Sequence, residues 1–273
     1  AFPVTTGNPK ATYDIQTGAI VRGNTDPKKY EVPQHQWFDV TAPDGKYGVA
    51  ILNDSKFGSD KPTDDTVRLT LLYTPGVRGG YEDEAVQDFG RHEILYAIAP
   101  HAGDWRKGDV AWTAKRLNQP LRAFVTPSHS GRLGKATSLA STSSKQVEIQ
   151  AIKRAEDGDG YIVRLRELTG KPATNVAIKM SSSVVSAMAV DGQERPIGKA
   201  TTTGGALIAS VRGFGLAAYR VRLATTKIAR PQPTSQALNL PYDLDVASTD
   251  ANDRDGAFDA QGRSYSADML PKS

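Results

Sequence analysis

The stretch Tyr47-Gly-Val-Ala-Ile-Leu-Asn-Asp-Ser-Lys-Phe-Gly58 decides the fold class. From Tyr47 to Leu52 it is short, apolar and partly β-branched, with Gly45 before it and Asn53-Asp54 after it. That is the pattern of a strand covered on both faces, since a half-exposed strand would alternate apolar with polar residues. The second half crowds Asn53, Asp54, Ser55 and Lys56 together ahead of Gly58. A polar cluster at the end of a buried strand can hold functional groups at the rim of a rigid scaffold. The plainer reading is a strand-to-turn exit in which Asn53 and Asp54 cap their own backbone.

Around this strand, residues 1 to 125 read as successive strands joined by loops. Ala11–Gln16, Ala19–Arg22, Tyr30–Val40 (with Pro33 as an edge or bulge), Thr66–Tyr73 and Gly90–Ala99 supply them. Val67, Leu69 and Leu71 fall on one face of theirs. Only Lys107–Leu117 suits a short helix. Between Thr126 and Lys145 apolar residues thin out and Ser, Thr and Gly dominate, so 126–146 reads as a linker or long loop. Residues 147–225 then place strands every 8–12 residues or so, as in a β-sandwich. Glu156-Asp-Gly-Asp-Gly160 marks a hairpin between Val147–Ile152 and Gly160–Glu167. Val176–Met180, Val184–Val190, Ala206–Val211 and Ala217–Leu223 complete it. Residues 226–273 form a polar tail with one candidate returning strand, Leu238–Asp245, and the start of a further β domain.

The 273 residues carry 34 Lys and Arg against 30 Asp and Glu, a net charge of +4 spread along the chain. Without a basic block interleaved with aromatics, nucleic-acid binding is not expected. No window approaches about 20 uninterrupted apolar residues, so no membrane span is expected. Zero cysteines remove disulfides and thiolate metal sites and fit a cytosolic or an exported bacterial protein. The amino terminus resembles the middle of a strand, which suggests a piece of something longer.

None of His35, His92, His101 and His129 is paired at the spacing that presents two metal ligands from one element. Each is expected to be structural, with His101 the one to watch beside Asp104 and Trp105. Trp105 is a core lid or, alternatively, a platform for a sugar's C–H face. Ser128-His129-Ser130 lacks the context of a catalytic elbow, and Gly131–Ala136 lacks the first glycine and the hydroxyl residue of a phosphate loop. Asp243, Asp245, Asp250, Asp253, Asp255 and Asp259 miss the EF-hand register, leaving solvated turns or a looser Ca²⁺ site. Asp14, Asp39, Asp54 and Glu93 offer no basis for choosing a nucleophile, because paired glycosidase carboxylates come from different loops.

Several segments in order resemble the C-terminal β-rich part of glycoside hydrolase family 38, the α-mannosidases. They are Tyr30–Asp39, Tyr47–Gly58, Val67–Leu72, His92–Trp105, Leu117–Leu121 and Val147–Glu167, together spanning roughly residues 1–225. The tail after Gly256 is similar to the opening of an appended β-sandwich of some bacterial glycosidases. The resemblance implies an all-β chain: part of a large, mutarotase-like β-supersandwich (1–125), then a smaller immunoglobulin-like sandwich (147–225). It implies a parent that hydrolyses terminal α-mannosides with retention, through a covalent intermediate on an Asp. It also implies a divalent metal, usually Zn²⁺, that touches the sugar. The catalytic and metal-ligating motifs lie in an N-terminal barrel of the family, and none is present here. The chain is therefore expected to hold no catalytic residue and no metal, and to be inactive alone. Its implied partners are that barrel and a mannose-containing glycan. Asn53, Asp54 and Lys56 are the carried-over candidates for substrate contact, where amide, carboxylate and ammonium groups suit hydroxyls. Phe57 stands where the family often has Tyr. The alternative is a stand-alone carbohydrate-binding or structural β-sandwich. A bacterial periplasmic or secreted location is favoured over a cytoplasmic one.

Overall fold

The computed structural model describes residues 1–26, 28, 31–72, 90–127 and 136–225. Chain packing separates Ala1–Thr225 from Thr226–Ser273. The second unit lies outside the described residues, as do the expected strand Leu238–Asp245, the acidic tail and residues 128–135.

The first half contributes β1 (Phe2–Pro3), β2 (Lys10–Ile15), β3 (Gly18–Gly23), β4 (Val32–Pro33), β5 (Trp37–Thr41), β6 (Tyr47–Asn53), β7 (Gly58–Thr63), β8 (Thr66–Leu69) and β9 (Tyr96–Ala102), then helix α1 (Val110–Asn118). Two sheets result, β3-β2-β5-β6-β9 and β1-β8-β7-β4. Tyr13, Phe38, Val40 and Ile51 from the first and Val67 and Leu69 from the second close one core between them. The other face of the five-stranded sheet is covered by α1. There Trp37, Ala50 and Leu52 meet Trp105, Val110 and Ala114, and the small side chains of Ala97, Ala99 and Ala111 line the contact. The central strand β6 is thus covered on both faces, as its unbroken apolar run requires. Burying Ile51 and Leu52 stabilises the fold by about 1.5–3 kcal/mol per side chain.

The second half supplies β10 (Ala140–Thr142), β11 (Val147–Arg154), β12 (Tyr161–Glu167), β13 (Ala173–Met180), β14 (Val184–Val190), β15 (Pro196–Lys199), β16 (Thr201–Thr203), β17 (Ala206–Val211) and β18 (Leu216–Leu223). They form sheets β11-β12-β18-β14-β15 and β10-β13-β17-β16. Val147, Val163, Leu165, Ile178, Leu207 and Val221 fill the space between the two. The expected hairpin forms, with Arg154 opposite Tyr161.

Three expectations change, and a polar strand is new. Tyr30–Val40 is not one strand, because β4 and β5 belong to opposite sheets and the chain crosses between them after Pro33. The strand placed at Gly90–Ala99 starts only at Tyr96 and runs through Pro100 to Ala102. Pro100 is tolerated because β9 is an edge strand. Leu71 lies beyond β8 and is exposed. Gly58–Thr63, polar and unsuspected, is a strand whose Ser59, Asp60 and Lys61 are buried. Asp60 accepts a forked pair of bonds from Arg68, and Lys61 Nζ donates to the Thr63 carbonyl.

Candidate functional site

β6 delivers Asn53 to the sheet rim, fully buried. Asn53 Nδ2 donates to Gln34 Oε1 and to the His35 carbonyl, both at 3.1 Å, and its Oδ1 accepts the Lys56 N–H at 2.7 Å. Its backbone N–H donates to the Gln36 carbonyl at 3.0 Å, and its carbonyl accepts Asn118 Nδ2 at 3.0 Å. Gln34 closes the loop from the other side, donating through Nε2 to the Lys56 carbonyl and through its backbone to the Phe57 carbonyl. The Asn53 side chain is therefore occupied in building the loop. What the loop offers outward is the Asp54 carboxylate, bonded among the described residues only to the Ser55 hydroxyl at 2.9 Å, then Lys56 and the half-exposed Phe57 ring. Phe57 stacks on His35 with centroids 5.8 Å apart. Lys56 has no ion-pair partner among the described residues.

Trp105 and His101 are drawn into the interior. Trp105 is 4% exposed against Trp37, a core residue and not a platform. His101 Nε2 lies 2.6 Å from Asp39 Oδ2, with side chains 6% and 0% exposed. Thr41 Oγ1 donates to the other Asp39 oxygen at 2.6 Å. Burial pushes the His101 pKa down, but the Asp39 carboxylate outweighs it and holds the ring above its ordinary value. Gly48 and Gly108 flank this ring so closely that a Cβ on either would stand 2.5 Å from an imidazole atom. His35 sits 3.5 Å from Asp14. Ser128-His129-Ser130 and Gly131–Lys135 lie outside the described residues.

Among the described residues each buried carboxylate has a cation or an N–H partner, although Glu148 Oε2 makes no hydrogen bond. Asp14 accepts the Gln36 N–H and lies 3.7 Å from Arg166, Glu148 pairs with Lys115 at 2.7 Å, and Glu194 binds Lys153 and the Glu156 N–H. Burial raises the Asp14 pKa, which would suit a general acid. The space beside it is only about 10 Å³, closed by Trp37, Lys115 and Leu168, and no pyranose fits there. Glu167 is the carboxylate that the sequence did not single out. It accepts four bonds: Thr169 N–H at 2.7 Å and Thr169 Oγ1 at 2.5 Å on one oxygen, Gly170 N–H at 2.7 Å and Phe214 N–H at 2.8 Å on the other. Burial alone would raise its pKa, and these donors hold it below the ordinary value. Phe214, fixed in this way, inserts into the α1 core beside Gly18 and joins the two sandwiches. Among the described residues no three His, Asp or Glu side chains gather, so a divalent metal finds no ligand set on them.

Two family models meet this frame. The C-terminal domain of glycosyl hydrolases family 38 matches residues 1–77, and the C-terminal β-sandwich domain of the same family matches residues 146–229. The chain belongs to the family 38 C-terminal region. Among family relatives, alpha-mannosidase 2C1 of Homo sapiens is 33% identical over 203 residues, which are 71% of this chain and 18% of the human protein. Alpha-mannosidase 2C1 of Mus musculus is 37% identical over 161 residues, 57% of this chain and 14% of that protein. The chain thus spans less than one fifth of the length of these relatives. An alpha-mannosidase structure from Enterococcus faecalis V583 superposes on 81% of this chain and 25% of its own, with a TM-score of 0.65 at 19% identity, a likeness of fold. Residues 234–273 match an AziU2-like β-sandwich domain.

Proposed function

We propose that this family 38 region is the non-catalytic C-terminal part of a retaining α-mannosidase. It braces a catalytic barrel carried elsewhere in the parent protein and lends the loop after β6 to the rim of that barrel's sugar pocket. The observation that carries this reading is the commitment of every buried carboxylate described above to a cation or an N–H donor. Retaining hydrolysis needs two carboxyl groups about 5 Å apart across the bond with room for the sugar between them. The names of the relatives support the substrate class, and the small share of their length that is matched supports a larger parent. The divalent metal belongs, on this reading, with the barrel. In the loop, Asn53 is the internal brace, while Asp54 and Lys56 are the groups that reach hydroxyls.

The test is hydrolysis of an aryl α-mannoside by this polypeptide, with and without added Zn²⁺, Co²⁺ and Ca²⁺. The expected result is no turnover under any of these conditions. Metal-dependent turnover would overturn the reading and place a catalytic pair on this chain.

A further inference from the structure

A second place on the molecule has the make-up of a ligand site and lies apart from the β6 loop. Between the first turn of α1 and the small sandwich is an open cleft of about 280 Å³. Its floor is well packed: Trp105 lies against Trp37 at 4.9 Å and carries the Arg106 guanidinium over its ring at 4.2 Å. Arg106 Nε donates to the Thr169 carbonyl at 2.7 Å, and Thr169 is held by the Glu167 bonds. The wall is Trp112, half-buried, whose orientation is fixed by an Nε1–H bond to the Lys145 carbonyl at 2.7 Å.

Asp109 precedes α1, and its carbonyl accepts the Thr113 N–H at 2.9 Å and Thr113 Oγ1 at 3.1 Å. As the residue preceding α1 it would ordinarily accept N–H groups of the first turn. Here its backbone is left-handed (φ 51°, ψ 32°), its side chain makes no capping bond, and its carboxylate lies 3.2 Å from Lys145 Nζ. The start of the helix is closed instead by the Val110 N–H bond to the Trp105 carbonyl at 3.1 Å, which leaves the Asp109 carboxylate at the cleft with Lys145. Beside it, Gln146 spends its Nε2 on the Lys171 carbonyl, and its Oε1 has no partner among the described residues.

We propose that this cleft binds a neutral hexopyranose unit of a glycan. An indole face accepts the C–H side of a pyranose, and the ring's hydroxyls each donate and accept. Asp109 and the Gln146 oxygen provide acceptors, and Lys145 and Lys171 provide donors, around Trp112. Lys145 is paired with Asp109 and Arg106 with Asp104 at 3.4 Å, and Lys171 adds one further positive charge to the lining. The two internal ion pairs set donors beside acceptors, the combination that a sugar hydroxyl uses. The floor and walls are fixed before anything binds, so little ordering opposes a weak ligand.

The probe is methyl α-mannopyranoside, titrated into the whole chain while the indole N–H resonances of its three tryptophans are followed by NMR. The expected result is a saturable shift of the Trp112 signal with a Kd on the order of 1 mM. Trp112→Ala should abolish binding, and Asp109→Asn, at a partly exposed site, should weaken it at least fivefold while the rest of the spectrum stays unchanged. Asp54→Ala should leave it untouched, which separates this cleft from the β6 loop. Absence of a saturable shift would overturn the proposal, as would undiminished binding by Asp109→Asn or tighter binding of mannose 6-phosphate than of the neutral sugar.

Discussion

Replacing Glu167 by Gln changes one oxygen for an NH₂ group and leaves size and shape nearly constant. Whichever way the amide turns, one pair of donors (Thr169 N–H and Oγ–H, or Gly170 and Phe214 N–H) loses its acceptor and faces a donor instead. The side chain has no exposed surface through which water could replace those partners. A hydrogen bond to a charged group is worth about 1.5–3 kcal/mol, so two lost bonds cost about 3–6 kcal/mol. For 150–250 residues each kcal/mol moves Tm by about 2–4 °C, so Glu167→Gln should melt at least about 6 °C below the wild type in calorimetry at neutral pH. The pH dependence is a second signature. A carboxylate held below its ordinary value contributes stability above the unfolded-state pKa, near 4.5, and loses it as pH falls through the folded value. The gap between wild type and variant should therefore narrow on acidification. A Tm loss under about 3 °C, or a gap that does not change with pH, would refute the role given to Glu167.

The His101–Asp39 pair should respond to pH in the opposite sense. A histidine held above its ordinary 6.5 contributes fully below that value and loses its contribution as pH rises through the folded value. Asp39→Asn should cost about 3–5 kcal/mol near pH 6, and calorimetry should find a smaller deficit near pH 9; equal deficits would contradict a charged pair. Asn53→Ala leaves the Gln34 side chain, the His35 carbonyl and the Lys56 N–H without their partner. It should cost about 2–4 kcal/mol in urea unfolding and raise amide exchange at residues 54–57, whereas Asp54→Ala should change neither.

What the sequence disclosed was whatever alternation or apolar runs encode. Val184–Val190 and Ala206–Val211 read directly because one face of each is buried against a sheet. β6 read directly because α1 covers the face that a simple sandwich would leave wet. β7 could not be read, since Gly-Ser-Asp-Lys-Pro-Thr buries polar groups whose partners, such as Arg68, are in the next strand. β10 was hidden in a Ser/Thr-rich segment and owes its existence to pairing with β13. The candidate site was legible to the same degree. Asn53 stood out as a polar group ending a buried strand, but its saturation by Gln34 and His35 depends on a crossover between sheets. His101 was noticed beside Asp104, and its partner is Asp39, 62 residues away. Glu167 gave no local sign that Phe214, 47 residues later, would complete its shell.

The helix between the two candidate surfaces has a mechanical consequence. α1 has nine residues, so it is a stiff rod of about 13 Å. Its first turn borders the cleft at Trp112. At its last residue, Asn118 Nδ2 is shared between the Ala114 carbonyl within the helix and the Asn53 carbonyl at the base of the β6 loop. Its contact with the sheet is built from Trp37, Leu52, Trp105 and Val110 with alanines between them. Because one amide serves both carbonyls, replacing Asn118 would free the last turn of α1 and the base of the β6 loop together.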